Sequence, residues 1–552
     1  MAIVSNDYRT VLERSGFDSW YHSLPPKLGI DQFRYVLPTM VAAPGRRPVI
    51  VAKEIDRTNL ESIREDDVSF VFHTPYFTFD RAESPTDARP DLASAIAEVL
   101  DGPAELDPRF AVKLYDELTA QLDSAGRMSR PSFVPPLNCY RVARSAGDEL
   151  ALPARAAALP AARRYFEELG ADKQADEWLN RPAPDSLSVL DELMAGQGLD
   201  AVLASNPINV QGISGVPATL VGEGVWALYV RGSSEILVLS RRELPWLGLP
   251  DSAPLRGVSI PRLAAGRVGY EELDLTREAY EGLGLAEGAA TPASLVFRRW
   301  REMLSWADLA FYVIGAQVTV RAIEAALDVV RGAVARDEPV TELDAYERYR
   351  AVVAEEIRSR KLPVRVRTYF THTHGGNRSL IPARATGHSL LPLTSLKIDA
   401  GLEIYDDAGS LRAASDVTRS ALGSPAALEA YELLDRVLVD VMDGCRPGRT
   451  GAEVFCAGAE ALEPYHADLV AGGFCPDDGV PFSEAIGRDI GHLLGKQEPA
   501  TVVFQRGNEE RLEPGMVAAA ELQWPFRDHC IGVEDVFMTT DAEPLNLTRA
   551  AG

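Results

Sequence analysis

The chain has 552 residues, of which 46% are hydrophobic and 25% charged, so we expect a globular protein with more than one domain. Its formal net charge of -25 excludes nucleic acids and anionic membranes as favoured partners, because Lys and Arg provide most of the affinity for both. The beginning of the sequence does not resemble a leader, and no apolar run reaches the length of about 18 residues that a membrane span needs. We therefore expect a cytoplasmic protein, and its five widely spaced cysteines predict reduced thiols.

Two stretches of the first half alternate helix and strand signals in the same way. A helical pattern near residue 11 precedes the strand-like runs VLPTMVAA, RPVIVA and VSFVFH. A second helical pattern, LDELMAGQGLDAVLAS, precedes VWALYV, EILVLS and GRVGYEE. Pro-rich segments near residues 133 and 183 indicate junctions. We predict an α/β domain over residues 1–180, a second over 181–300, and a third domain over 301–552.

Long helices dominate the pattern after residue 306. In the segment from residue 426, apolar residues at 434, 437, 438, 441 and 442 define one buried helical face, which predicts packing on a sheet. Residues 322–349 and 430–462 both read as a long helix, a turn and a second helix. This repetition predicts an internal duplication and a pseudo-two-fold domain.

Five polar side chains stand inside apolar runs of the third domain. LKIDAG contains Asp399, AASDVTRS contains Asp416, RDIGHLLG contains His492, MVAAAELQW contains Glu521 and CIGVEDVFM contains Glu534. Each alone has an ordinary interpretation, as an acid at a strand end or a core histidine. Together they predict a metal site, because buried carboxylates are costly unless they are paired or bind a metal.

The segments LKIDAG, SDVTRS, GHLLG, LEPGMVAAAE and GVEDVFM resemble the signature segments of the pita-bread, or creatinase/aminopeptidase (M24), superfamily. That superfamily includes methionine aminopeptidases, prolidases, aminopeptidase P and creatinase. The resemblance covers about residues 305–545, and the two upstream stretches resemble creatinase-type amino-terminal domains. The resemblance implies an α+β protein, with a carboxyl-terminal pita-bread fold of internal pseudo-two-fold symmetry that is preceded by two α/β domains. It also implies a homodimer.

The resemblance also implies a role for each ligand. Asp399 would chelate one metal ion, Asp416 and Glu534 would bridge two ions, and His492 and Glu521 would complete the second site. Oxygen-rich ligation with one imidazole suits Mn²⁺, the expected ion, or Fe²⁺, Co²⁺ or Zn²⁺. Two such ions can generate hydroxide from water and polarise a carbonyl group, as in two-metal hydrolases.

Peptidases of this superfamily carry two further histidines, and neither is found at its expected position. The first position falls near Ile381 or Pro382, and the second is taken by Glu498 and Pro499. The stretch between the two Asp ligands is also longer than usual and contains the acidic loop YDDAGSLRAA.

Other residues near these positions are candidates for catalysis. His374 or His388 could face the substrate, and the alternative is a loop exposed to solvent. His372 is a candidate for substrate binding, because residues two apart on a strand point to the same face. Glu498 is a candidate proton carrier in place of the missing imidazole.

Three further residues are candidates for the site. Two of them have an alternative interpretation, and the third is predicted to act through the ligands. Arg488 could bind a substrate carboxylate or be a surface cation. Trp524 could form a pocket wall or pack in the core. Arg419, in DVTRS, is predicted to support the ligand carboxylates from behind, and we count it with the catalytic candidates.

Three functional hypotheses follow. The first is a dinuclear hydrolase, related to Xaa-Pro aminopeptidases and prolidases, that cleaves a C–N bond in a small-molecule or short-peptide substrate. The second is a non-peptidase metalloenzyme, such as a lyase acting on a specialised metabolite, since the peptidase histidines are missing. The third is a metal-free binding module similar to the peptidase-like domain of a histone chaperone, which the presence of all five ligands disfavours.

Overall fold

A computed structural model of the chain describes most of its residues. The described ranges are residues 1–15, 37–53, 68–73, 88–122, 124–127, 137–182, 184–221, 224–244, 260, 264, 266–287, 290–380, 385–475, 479–481, 484, 489–496 and 501–549.

The first part of the chain forms a six-stranded sheet with the order β4-β3-β2-β1-β5-β6. Val4, Val51 and Leu106 are buried in its core with apolar residues of the helices, which accounts for the strand-like runs in the sequence. The elements are β1 (Ala2–Ser5), α1 (Tyr8–Ser15), β2 (Thr39–Ala42), β3 (Val49–Lys53), β4 (Ser69–His73), α2 (Leu92–Val99), β5 (Ala104–Leu106), α3 (Val112–Gln121) and β6 (Ser124–Arg127).

A second six-stranded sheet follows, with the order β12-β11-β8-β9-β10-β7. Its elements are β7 (Asn138–Ala143), α4 (Ala146–Leu169), α5 (Asp172–Leu179), α6 (Ser186–Gly196), β8 (Ala201–Ala204), α7 (Pro207–Ser214), β9 (Val225–Val230), β10 (Glu235–Ser240), β11 (Val268–Tyr270), α8 (Arg277–Gly282), β12 (Ala290–Pro292) and α9 (Ser294–Met303). The edge strand β7 pairs with β10 although it precedes the boundary predicted near residue 180. The division of the chain into domains stays a prediction.

The carboxyl-terminal part forms an eight-stranded sheet covered by long helices. The strand order is β13-β14-β16-β19-β18-β17, and β15 and β20 pair with β14 and β19. The elements are α10 (Leu309–Ala335), α11 (Glu342–Ser359), β13 (Arg365–Gly375), β14 (Ser395–Tyr405), β15 (Leu411–Ala414), β16 (Val417–Leu422), α12 (Pro425–Gly444), α13 (Gly451–Leu462), α14 (His466–Gly472), β17 (Gly491–Leu493), β18 (Val517–Phe526), β19 (His529–Met538) and β20 (Leu545–Asn546).

This sheet has internal pseudo-two-fold symmetry, as the duplicated sequence pattern predicts. Strands β13, β14 and β16 form one half, and β17, β18 and β19 form the other, so β16 and β19 meet at the centre. Each half carries a helix pair, α10 with α11 and α12 with α13. The second helix of each pair begins with the same capping box, made by Thr341 and Asp344 in one half and by Thr450 and Glu453 in the other.

Helix α10 is the apolar support of the half that contains β14 and β16. Its first eleven residues are buried, and it packs against both strands and against α4 and α11. Gly315 lets the helix approach the sheet, because a Cβ at this position would lie 2.9 Å from Cγ1 of Ile404. Among the described residues, no helix has both the length and the apolar character needed to cross a membrane.

Two glycines of α10 should respond in opposite ways to replacement by alanine. Gly332→Ala should raise the free energy of unfolding by up to ~1 kcal/mol, because alanine favours helix and the nearest atom belongs to the flexible Arg336 side chain. Gly315→Ala should lower it by ~1–3 kcal/mol, because the added methyl group overpacks the contact with buried Ile404. Urea titrations of both variants test this, and a stabilised Gly315→Ala protein would contradict the packing argument.

Candidate metal centre

The strand register places polar side chains in one row across four strands. Asp399 of β14 lies opposite Thr418 of β16, Thr418 lies opposite Glu534 of β19, and Glu534 lies opposite Glu521 of β18. Residues directly opposite each other in antiparallel strands point to the same face. Three of the five predicted ligands therefore face the same side of the sheet at its symmetric centre.

The other two ligands reach this row from its neighbours. Asp416 immediately precedes β16, two residues before Thr418. His492 lies on the short strand β17, opposite Ala519, which is two residues before Glu521. The preceding Gly491 has a φ of +143°, and a Cβ there would lie 2.4 Å from the carbonyl oxygen of Ala519. Glycine at this position therefore allows β17 to approach β18 and carry the imidazole to the row.

The structure brings the ligand atoms to distances that suit one cation. Ligand atoms of Asp416, His492 and Glu534 all lie within 4.8 Å of one another. Nε2 of His492 is 3.9 Å from Oδ2 of Asp416 and 3.9 Å from Oε1 of Glu521. Two ligands bound about 2.1 Å from one ion lie at most about 4.2 Å apart. His492 can therefore share an ion with Asp416 and with Glu521 without large rearrangement, and Glu534 lies in the same group as His492 and Asp416.

The imidazole of His492 is oriented for metal binding. Its Nδ1 lies 3.0 Å from the carbonyl oxygen of Leu493. Because a carbonyl oxygen can only accept, the proton of neutral imidazole is held on Nδ1. The lone pair is then on Nε2, the atom that faces Asp416 and Glu521.

Glu534 is repelled by neighbouring carboxylates and is the most buried of the five ligands, with only 1% of its surface exposed. Burial, the charge of Glu521 and the charge of Asp399 raise the pKa of Glu534 well above its usual value. His492 and a hydrogen bond from Thr418 oppose that rise in pKa. A cation at the cluster would remove the repulsion, so the residues fit the divalent metal that the sequence predicts.

Two polar residues that the sequence analysis missed also face the cluster. Gln523 donates from Nε2 to Oγ1 of Thr418 at 2.9 Å and to Oε2 of Glu521 at 3.1 Å. Its Oε1 accepts from Nζ of Lys397 at 2.6 Å. Gln523 lies two positions from Glu521, and Lys397 lies two positions from Asp399 on its own strand. The two-residue period of a strand was therefore the signal that could have identified Gln523 and Lys397.

Arg419 holds the central strands together from the other face of the sheet. Its Nη1 donates to the carbonyl oxygens of Thr418 at 2.8 Å and Glu534 at 2.6 Å, and its Nη2 lies 2.5 Å from Oδ1 of Asp535. Arg549 also binds Asp535. Arg419 thus positions the backbone that carries Glu534. Its guanidinium contacts backbone carbonyl oxygens and Asp535.

The predicted substrate-facing histidines occupy different environments. On β13, His372 lies opposite Asp399 and His374 lies opposite Lys397, so both point to the ligand face. Their ring centroids are 6.0 Å apart. His374 is fully buried, and burial, reinforced by the charge of Lys397, lowers its pKa well below the usual value. His388 is exposed, which matches the alternative of a loop facing solvent.

The remaining candidates are placed less directly. Trp524 is fully buried on β18, three positions from Glu521 and therefore on the opposite face, where its ring lies 6.5 Å from that of Phe474. This position corresponds to core packing and not to a pocket wall at the ligands. Arg488 and Glu498 lie outside the described residues, as do Ile381, Pro382 and Pro499.

Glu534→Gln should make the metal-free protein more stable. Because the pKa of Glu534 is raised in the folded state, folding takes up a proton, and stability falls as the pH rises above the ordinary value of 4.5. At pH 8 the neutral amide should raise the melting temperature of chelated protein by roughly 2–4 °C and reduce the further rise on adding Mn²⁺. Thermal melts of this variant and of the exposed control Glu509→Gln measure both effects. A less stable metal-free Glu534→Gln would contradict the repulsion argument.

Arg419→Met should weaken metal binding without removing a ligand. Loss of the contacts to the Glu534 carbonyl and Asp535 frees the strand backbone, and we expect Mn²⁺ affinity to fall roughly 10–100-fold. Titration calorimetry measures this, with Arg436→Met on the exposed face of α12 as the control. Unchanged affinity in folded Arg419→Met would show that Arg419 does not position the ligands.

Comparison with known proteins agrees with this geometry. Residues 314–541 match the model of metallopeptidase family M24. No curated protein matches the chain by sequence. Among solved structures, the chain is similar to an X-prolyl aminopeptidase from Caenorhabditis elegans, described as a cytosolic enzyme with a di-nuclear active site. That likeness has a TM-score of 0.56 and 12% identity, and covers 99% of this chain and 86% of the other.

Two other solved structures share the fold over about two thirds of the chain. An Xaa-Pro dipeptidase from Bacillus anthracis has a TM-score of 0.50 and 17% identity, covering 67% of this chain and 98% of its own. The N-terminal domain of FACT complex subunit SPT16 from Cicer arietinum has a TM-score of 0.53 and 11% identity, covering 66% and 96%. Residues 314–541 therefore match metallopeptidase family M24, which supports an enzyme of the metallohydrolase type, and the chain shares the pita-bread fold of the X-prolyl aminopeptidase and the Xaa-Pro dipeptidase.

Proposed function

We propose that this protein is a metal-dependent hydrolase that cleaves a C–N bond in a small peptide-like substrate. The observation that carries the proposal is the convergence of Asp416, His492, Glu521 and Glu534 on one position at the centre of the M24 sheet. These residues would hold a divalent cation, and such a cation would supply Lewis acidity for polarising a carbonyl group and for making water a better nucleophile. Both effects serve the hydrolysis of an amide or a related C–N bond.

The protein's own residues provide orientation and a dry environment for this reaction. The five ligands are between 1% and 9% exposed, so charges in the site are weakly screened by water. Gln523 holds the carboxylate of Glu521, and Thr418 holds that of Glu534. His374 is neutral because burial lowers its pKa, so it can only accept or donate a hydrogen bond as uncharged imidazole.

The donor set favours Mn²⁺ as the ion, with Fe²⁺, Co²⁺ or Zn²⁺ as alternatives, because it combines carboxylate oxygens with one imidazole. Asp399 and Glu521 are both outside the group of ligand atoms that lie within 4.8 Å of one another; Glu521 lies 3.9 Å from Nε2 of His492, and the predicted second ion depends on Asp399. We propose a cytoplasmic homodimer acting on a small molecule or short peptide, and both parts of this statement rest on the sequence.

A non-peptidase metalloenzyme is the second candidate, and one observation favours it. Lys397 brings a buried cation to the row of ligands, and its Nζ lies 3.8 Å from Oδ2 of Asp399. A lysine at this place is not part of the ligand pattern that the sequence resemblance implies. A lyase or another reaction on a specialised metabolite would use the same cluster. The similarity to the FACT subunit SPT16 concerns the fold alone, and the intact ligand cluster does not support a metal-free binding module.

Loading the full chain with Mn²⁺ and offering Xaa-Pro dipeptides tests the proposal. We expect dipeptide hydrolysis that falls about 10³-fold or more in kcat/KM in His492→Ala and Glu521→Gln, because each removes a ligand. The exposed variant Glu509→Gln should keep the native rate. A protein that binds Mn²⁺ but cleaves no dipeptide would exclude the peptidase activity and favour the second candidate.

A further inference from the structure

Lys397 is a buried cation on the ligand face of the sheet. It stands two residues before Asp399 in the apolar strand β14, so both side chains point to the same side. The side chain is 1% exposed, and its Nζ lies 3.8 Å from Oδ2 of Asp399 and 2.6 Å from Oε1 of Gln523. A fully buried lysine is rare unless its charge is matched by an opposite one.

The space for this ammonium is built by neighbouring strands. A Cβ at Gly532 would lie 3.0 Å from Cδ of Lys397 and 3.2 Å from Cγ of Gln523, so the absence of a side chain there makes room for both. Gln523 presents its amide oxygen to Lys397 and its amide nitrogen to Thr418 and Glu521. The amide therefore links the ammonium to the carboxylates of the cluster in one fixed orientation.

The charges in the site divide into two groups. Ligand atoms of Asp416, His492 and Glu534 form one group, and Oε1 of Glu521 lies 3.9 Å from Nε2 of His492 at its edge, so these carboxylates need a cation of high charge. Asp399 lies outside that group and has the Lys397 ammonium beside it. A divalent ion bound to Asp399 would stand within a few ångströms of a positive charge in a site with little water, where repulsion is strong.

We propose that the ammonium of Lys397 takes the place of a second divalent ion, so that this protein binds a single metal ion with Asp416, His492, Glu521 and Glu534. The inference rests on the metal centre proposed above. The C. elegans aminopeptidase, in contrast, is described as having a di-nuclear active site. On the Asp399 side, a substrate would meet a hydrogen-bond donor of single charge where a dinuclear enzyme offers a Lewis acid.

Metal counting in charge variants tests the proposal. The full chain is loaded with Mn²⁺, freed of excess by gel filtration and analysed by elemental analysis. We expect about one equivalent per chain in the native protein and about two in Lys397→Met, which keeps the stem but removes the charge. Lys173→Met, the same substitution on the exposed surface of α5, should keep the native value. Electron paramagnetic resonance should show an isolated Mn²⁺ in the native protein and an exchange-coupled pair in Lys397→Met.

Asp399→Asn provides an independent answer if Lys397→Met does not fold. It should leave the native stoichiometry at about one, because Asp399 is not a ligand of the single ion, whereas Asp416→Asn should lower it. The double variant with Lys397→Met and Asp399→Asn should return to about one.

Two equivalents in the native protein, or a drop from two to one in Asp399→Asn, would overturn the inference and leave the proposed function standing. One equivalent in folded Lys397→Met would also overturn it. A native protein that takes up no metal would contradict the metal centre and the proposed function together.

Discussion

Mutual repulsion among buried carboxylates is the constraint on which the centre of this protein depends. Asp399, Asp416, Glu521 and Glu534 face one side of a sheet with little access to water, and no arrangement of apolar neighbours can stabilise four negative charges there. Positive charge has to be supplied. The raised pKa of Glu534, caused by its burial and by the charges of Glu521 and Asp399, is the direct expression of that need in the metal-free chain.

The pita-bread sheet serves this constraint through its symmetry. The central strands β16 and β19 meet at the pair formed by Thr418 and Glu534, so acids from both halves reach the same place. Helix pairs on each half hold the strands, and Arg419 ties the two central strands from behind through the Glu534 carbonyl and Asp535. Rigid strands and their ties keep the charges close when no cation relieves the repulsion.

Much of this was readable in the sequence because strands and helices have fixed periods. Acids inside apolar runs predicted ligands, and the repeated pair of helices predicted the pseudo-two-fold sheet, which the structure shows. The role of Lys397 was not predicted, because one lysine in an apolar run gives no sign of the residue across the sheet that its side chain reaches. Contacts such as that with Gln523 depend on strand register over more than a hundred residues. Trp524 shows a similar limit of the sequence. Its side chain is assigned to the sheet face opposite Glu521 by counting positions along the strand, which requires that residues 521 to 524 are known to lie in one strand.

A crystal structure of the full chain grown with Mn²⁺, with anomalous scattering recorded at the manganese edge, tests directly whether these carboxylates gather around a cation. We expect an anomalous peak bound by Asp416, His492, Glu521 and Glu534, with the Lys397 ammonium beside Asp399. A map without a peak at this position, or one in which these side chains point away from a common centre, would contradict this expectation.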